Sequence, residues 1–142
     1  MFPGSTLTCV DSFDVGDSDR YADYQEELPF VEQRFDSNLA EFNGRVRKLK
    51  GASVPTLWSL GTANELFDLI YIDGSHERDD VLLDSLLSWR VLAPGGVIMW
   101  DDYKGAAGLP DERRPQGAVD AFLRMHPMRV LHRRYQMIAL RD

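Results

Sequence analysis

Phe67-Asp68-Leu69-Ile70-Tyr71-Ile72-Asp73-Gly74-Ser75-His76 is a continuous apolar run with one acid near its start, closed by a polar turn that contains glycine. A strand buried on both faces reads this way, because neither face needs the polar alternation of a half-solvated strand. Downstream, Val81, Leu82, Leu86, Trp89 and Leu92 recur at helical spacing, and Pro94-Gly95-Gly96 stops the helix. Val97-Ile98-Met99-Trp100 is a second buried strand, ending in Asp101-Asp102-Tyr103. Two buried strands joined by a helix specify a βαβ unit of a parallel sheet.

Working outward, Leu7-Thr8-Cys9-Val10 is a short β-rich run that delivers Asp11-Ser12 to its carboxyl end. An acidic stretch follows: from Asp11 to Glu41 ten acidic residues face two basic ones, Arg20 and Arg34, with a helix expected around Leu28–Phe42. Residues 45–50 alternate polar and apolar like a strand near a sheet edge, and Gly51-Ala52-Ser53 ends it. Pro55 suits the start of a helix over Thr56–Leu60. Toward the C-terminus, Val119, Phe122, Leu123 and His126 mark another helix, and Met128–His132 with Gln136–Leu140 read as two closing strands joined by a tight turn. The whole predicts one α/β domain over residues 1–142, with a mostly parallel sheet, helices on both faces and an antiparallel edge made by the last two strands.

With 142 residues and 44% hydrophobic content, the chain can bury a core of its own. A net charge of -7 removes the electrostatic footprint that binding to nucleic acid or to an anionic membrane needs, so the expected partner is a small molecule. Cys9 is the single cysteine, which excludes an internal disulfide. The first residues lack the basic, apolar and small-residue order of a signal peptide, and no apolar run reaches the length of a membrane span, so a cytoplasmic setting is expected.

Ligands of such sheets bind at the carboxyl ends of the strands, and Asp11, Ser53, Asp73 and Asp101-Asp102 all fall there. Asp11 can accept hydrogen bonds from the two hydroxyls of a ribose, or it can be an ordinary turn aspartate. Asp73, Asp101 and Asp102 form an oxygen cage suited to a hard cation such as magnesium; the plainer alternative is that they cap a helix and fill a loop. His76, three residues beyond Asp73, can act as a general base near neutral pH, although a lone histidine is more often a surface or capping residue. His126 and His132 carry no assigned role, and Cys9 reads as a small core hydrophobe.

The string from Phe67 to His76, followed by Leu92-Ala93-Pro94-Gly95-Gly96-Val97-Ile98 and Asp101-Asp102-Tyr103, resembles class I S-adenosylmethionine-dependent methyltransferases. It looks most like the small-molecule and sugar O-methyltransferase branch, including the macrocin O-methyltransferase type, and the likeness runs from Leu7 to about Leu140. The resemblance implies a Rossmann-like sheet that binds S-adenosylmethionine. It places Asp11 and Ser12 at the cofactor ribose, Gly51, Ala52 and Ser53 beside the adenine, and Asp73 and Gly74 at the cofactor's edge. It assigns Asp73, Asp101 and Asp102 to magnesium, and His76 with Asp73 to catalysis. The implied reaction is methyl transfer to a hydroxyl of a small acceptor, with acceptor loops at 14–29 and 104–114.

The family begins with a strand and a glycine-rich turn, and only Met1–Thr6 precede Leu7 here. A βαβ unit takes roughly 30 residues, so the expectation is a methyltransferase domain incomplete at its N-terminus. The competing function is a catalytically inactive remnant that serves as a binding or oligomerisation module. A dehydrogenase is disfavoured, because no G-x-G-x-x-G is present. In the family the absent strand lies between the strands at Leu7–Val10 and Phe67–Ile72. These two are therefore expected either to pair directly or to leave an uncovered edge that drives homo-oligomerisation.

Overall fold

The structure is a computed structural model that describes residues 4–14, 26–42, 44–106 and 108–142. Most of the expected acceptor loop at 14–29, and Ala107 in the second loop, lie outside the described residues. The chain divides into two compact units, Met1–Thr56 and Leu57–Asp142, where the sequence pattern reads as one domain.

In the first unit β1 (Leu7–Asp11) pairs in parallel with β2 (Val46–Lys50), from Leu7 opposite Val46 to Asp11 opposite Lys50. The crossover between them carries α1 (Val31–Leu39), flanked by single 3-10 turns at Leu28–Phe30 and Ala40–Phe42. Lys48 pairs with Glu32 at 3.0 Å and with Asp36 at 2.6 Å, and Lys50 pairs with Glu32 at 2.5 Å. Solvent screens such exposed pairs, so they fix orientation more than they stabilise. Helix α2 (Ser53–Thr62) crosses the division between the units.

The second unit is a four-stranded sheet in the order β3-β4-β6-β5, made of β3 (Phe67–Ile72), β4 (Leu92–Trp100), β5 (Arg129–Arg133) and β6 (Met137–Leu140). β3 and β4 are parallel, joined through α3 (Arg78–Val91), while β6 runs antiparallel to both β4 and β5. The predicted βαβ unit and antiparallel edge are both present. Helix α4 (Pro115–Met125) packs beside α3, and the two cover one face of the sheet. Val81, Ala118, Val119 and Phe122 meet Leu92, Ile98, Trp100, Met137 and Ala139 in the core. Trp100 resolves its buried indole by donating to Ser85 Oγ at 2.8 Å, and Ser85 in turn donates to the Val81 carbonyl at 2.6 Å.

Two expectations need correction. The helix ends at Val91 and β4 starts at Leu92, so Pro94-Gly95-Gly96 lies inside the strand rather than between the elements. Gly95 takes φ +74 and donates to the Arg141 carbonyl at 2.9 Å, while Arg141 donates back to Gly96. Only glycine adopts this left-handed backbone without penalty, so an apparent breaker is accommodated as a strand irregularity. The second correction concerns β3, which is not buried on both faces: Leu69 is 61% and Tyr71 is 51% exposed. Among the described residues β3 pairs only with β4, and β1 and β3 belong to separate sheets. No described helix is long and apolar enough to cross a membrane.

Candidate active site

The parallel register of β3 and β4 sets Ile72 opposite Trp100, and the Asp101 N–H donates to the Ile72 carbonyl at 3.1 Å. The two chains therefore leave the sheet side by side, which brings Asp73 next to Asp101-Asp102. The loop that carries His76 is held at both ends. Ser75 Oγ donates to Asp80 Oδ2 at 2.6 Å, and the Arg113 guanidinium pairs with Glu77. Asp102 sits in the turn after β4, where Gly105 N–H donates to the Asp102 carbonyl at 2.9 Å. A Cβ on Gly105 would lie 2.5 Å from Asp102 Oδ1 and 2.6 Å from Asp102 Cβ, so the turn requires a residue without a side chain.

Asp73, Gly74, His76, Asp101 and Asp102 border one small pocket, with Val81 and Trp100 on its apolar side. His76 Nδ1 lies 2.7 Å from Asp102 Oδ2, and both side chains are largely covered. The Tyr135 hydroxyl donates to Asp102 Oδ1, and the Gln136 amide donates to Asp101 Oδ1. Asp101 also accepts from the Tyr71 hydroxyl. This bond, together with that of Gln136, holds the Asp101 carboxyl below the usual aspartate range, and it pushes the Tyr71 hydroxyl up to about 12. Asp73 has the opposite environment: partial desolvation raises its carboxyl, the neighbouring charges of Asp101 and Asp102 raise it further, and His76 offsets part of this.

Asp73, His76 and Asp102 each offer one ligand atom, and these atoms lie within 4.8 Å of one another. Two carboxylate oxygens and an imidazole nitrogen make a donor set that divalent cations accept. The raised Asp73 carboxyl marks negative charge that the surrounding residues leave undercompensated, and a cation would relieve it. The residues present thus fit a divalent ion. Asp101 borders the pocket but stands outside this trio, and its carboxylate accepts from Gln136 and Tyr71.

The remaining candidates gather in the first unit. Asp11 and the Gly51-Ala52-Ser53 turn close the parallel β1–β2 pair, and the Gly51 N–H donates to the Asp11 carbonyl at 2.9 Å. Asp11 Oδ1 accepts the Phe13 N–H at 2.7 Å, which stabilises φ +52 at Phe13 and leaves Oδ2 for another donor. Ser12 is turned into its own loop, exchanging hydrogen bonds with the Asp14 backbone.

Sequence reading did not single out Tyr71, Tyr135 or Gln136. The last two lie in the β5–β6 turn, more than thirty residues from their carboxylates. Their one sequence signal is two polar side chains in a turn beside a strand that neighbours β4.

A βαβ unit with an antiparallel hairpin edge, and strand-end carboxylates around one pocket, make a Rossmann-like α/β protein. Residues 3–103 match the family model of a methyltransferase domain, and the chain belongs to that family. Among solved structures it is similar to the O-methyltransferase NovP, with TM-score 0.67 and 20% identity over 96% of this chain and 60% of NovP. It is also similar to an O-methyltransferase from Bacillus cereus solved in complex with SAH (TM-score 0.57, 18% identity, 97% of this chain and 64% of that one). A third is MycE of the mycinamycin biosynthetic pathway, solved with Mg and SAH (TM-score 0.61, 12% identity, 98% and 46%). The chain thus has the O-methyltransferase fold and spans about 60% of the length of NovP. No curated protein matches it by sequence.

Proposed function

We propose that this domain transfers a methyl group from S-adenosylmethionine to a hydroxyl of a small acceptor. The observation that carries the proposal is the His76–Asp102 pair, at 2.7 Å, beside Asp73. Asp102 engages Nδ1, which orients the ring and leaves Nε2 to take a proton from the acceptor hydroxyl. As the hydroxyl oxygen bonds to the methyl carbon, the carbon–sulfur bond breaks. The products are the methyl ether, S-adenosylhomocysteine and a proton on His76. Tyr135 holds Asp102, so the pair keeps its geometry as charge develops on the imidazole. Asp73 and Asp102 would hold a divalent cation, which when bound makes a coordinated hydroxyl more acidic. Asp11 Oδ2 suits the ribose hydroxyls of the cofactor.

Calorimetric titration with S-adenosylhomocysteine tests this reading. Saturable binding is expected, weakened by roughly 1–3 kcal/mol in Asp11→Ala, the cost of losing hydrogen bonds to a charged acceptor. Among the described residues β3 pairs with β4 alone, which favours a second reading, a methyltransferase-like module without activity. A titration with no heat, from protein whose far-ultraviolet circular dichroism is that of a folded α/β chain, would establish the second reading and overturn the first.

A further inference from the structure

Asp101 and Asp102 are adjacent and chemically the same, yet the sheet gives them different company. Trp100 stands opposite Ile72 on the parallel side of β4 and opposite Met137 on the antiparallel side. One step beyond that antiparallel register, Gln136 falls across from Asp101, and a second step sets Tyr135 across from Asp102. The side chains follow the register: Gln136 Nε2 donates to Asp101 Oδ1, and the Tyr135 hydroxyl donates to Asp102 Oδ1. From the other flank of β4, Tyr71 near the end of β3 donates its hydroxyl to Asp101. Asp101 is therefore held by one neutral donor from each side of its own strand, whereas Asp102 also meets His76, at 2.7 Å.

A carboxylate has about four acceptor positions, so two bonds do not exhaust it. They fix its orientation, because turning it toward a new partner gives up two charge-assisted hydrogen bonds at once. Asp101 nevertheless borders the same pocket as Asp73, His76 and Asp102, and its charge is felt at Asp73. The ligand atoms that converge are those of Asp73, His76 and Asp102. Tyr71 and Gln136 do not border the pocket, so whatever they do there they do through Asp101.

We propose, on the reading that this pocket holds a divalent cation, that Gln136 and Tyr71 are positioning residues that keep Asp101 off the cation and leave Asp73 and Asp102 as the carboxylates that take it. Ligand charge and number set the affinity of an oxygen site, and a cation such as magnesium works with one or two carboxylates while water or substrate completes its shell. Two carboxylates rather than three thus keep the hold weak enough to leave room for an acceptor oxygen. The β5–β6 turn, remote in sequence from the strand-end acids, is the element that sets this count through Gln136.

Mn2+ binding to the whole chain, read from the loss of the free-ion signal in electron paramagnetic resonance, tests this. Asp73→Asn and Asp102→Asn should each weaken binding by about tenfold or more, while Asp101→Asn should leave it within about twofold of the wild type. Gln136→Leu with Tyr71→Phe frees the Asp101 carboxylate and should tighten binding by about tenfold, and adding Asp101→Asn to that pair should return it to the wild-type value. Donors with a merely structural role would loosen the site when removed. If circular dichroism shows the paired variant unfolded, Gln136→Leu alone decides, with a gain of about threefold expected. Unchanged or weakened affinity in the folded variant overturns the proposal, as does the absence of Mn2+ binding from every form. So does a loss in Asp101→Asn equal to that in Asp102→Asn. Titration with S-adenosylhomocysteine reads the methyl-transfer proposal separately. Binding of that ligand with no gain in Mn2+ affinity would sink the role of Gln136 and Tyr71 alone, and the reverse result would sink methyl transfer alone.

Discussion

Asp73 is the residue on which the electrostatics of the pocket converge. Burial and the charges of Asp101 and Asp102 raise its carboxyl above the ordinary aspartate value in the folded protein. An acid raised in this way binds its proton more tightly folded than unfolded. The stability it contributes is complete below the unfolded aspartate pKa and is lost as pH rises through the folded one. At neutral pH the ionised carboxylate therefore destabilises the metal-free protein. Asp73→Asn should raise the Tm at pH 7, and the gain should vanish near about pH 3, where the wild-type carboxyl is also neutral. Thermal melts of the two proteins across this range check the sign. A lower Tm for the variant at pH 7 would show that Asp73 has a favourable partner instead. Asp101, one strand away, is tuned the other way by Tyr71 and Gln136, so chemically identical residues take distinct parts.

At the scale of elements, β4 is flanked on both sides and β3 on one. Half of the β3 amides point away from β4, and among the described residues no strand receives them. Hydrogen exchange should read this directly. Amides of Ile98, Met99 and Trp100 are expected to exchange about tenfold or more slowly than the outward-pointing amides of β3. Equal protection along both strands would mean that β3 has a partner on its outer edge. The sequence showed β3, α3 and β4 clearly, because their apolar spacing answers to the core they share. It misplaced the start of β4, because the positive φ of Gly95 is a product of pairing across the sheet and leaves no local pattern. In the site, Asp73, His76, Asp101 and Asp102 were legible as strand-end polar residues. The division of labour between Asp101 and Asp102 was not, because it is set by Tyr135 and Gln136 across a tertiary contact.

For the whole molecule, the distribution of buried apolar side chains decides which unit carries the stability. Every buried hydrophobic residue among those described, from Leu60 to Ala139, belongs to Leu57–Asp142. In Met1–Thr56, β1 and β2 hold only partly covered side chains, and the aromatic contact is Phe13 edge-on to Phe35 at 5.2 Å. Hydrophobic burial is the dominant favourable term, so the second unit should set the unfolding transition and the first should add little to it. Phe122 has no exposed surface and packs its ring against Trp100, Trp89 and His126. Its truncation leaves a cavity that rigid strands and helices cannot fill. Phe122→Ala should cost about 3–5 kcal/mol, the range for emptying a large aromatic site in a core. Phe35→Ala removes a half-covered ring and one edge contact, so it should cost about 0.5–1.5 kcal/mol. Denaturant unfolding followed by circular dichroism gives both values from the midpoints and slopes. Comparable losses would show that the first unit contributes a core of its own, and that the stability is shared across the chain rather than concentrated in the sheet of β3, β4, β6 and β5.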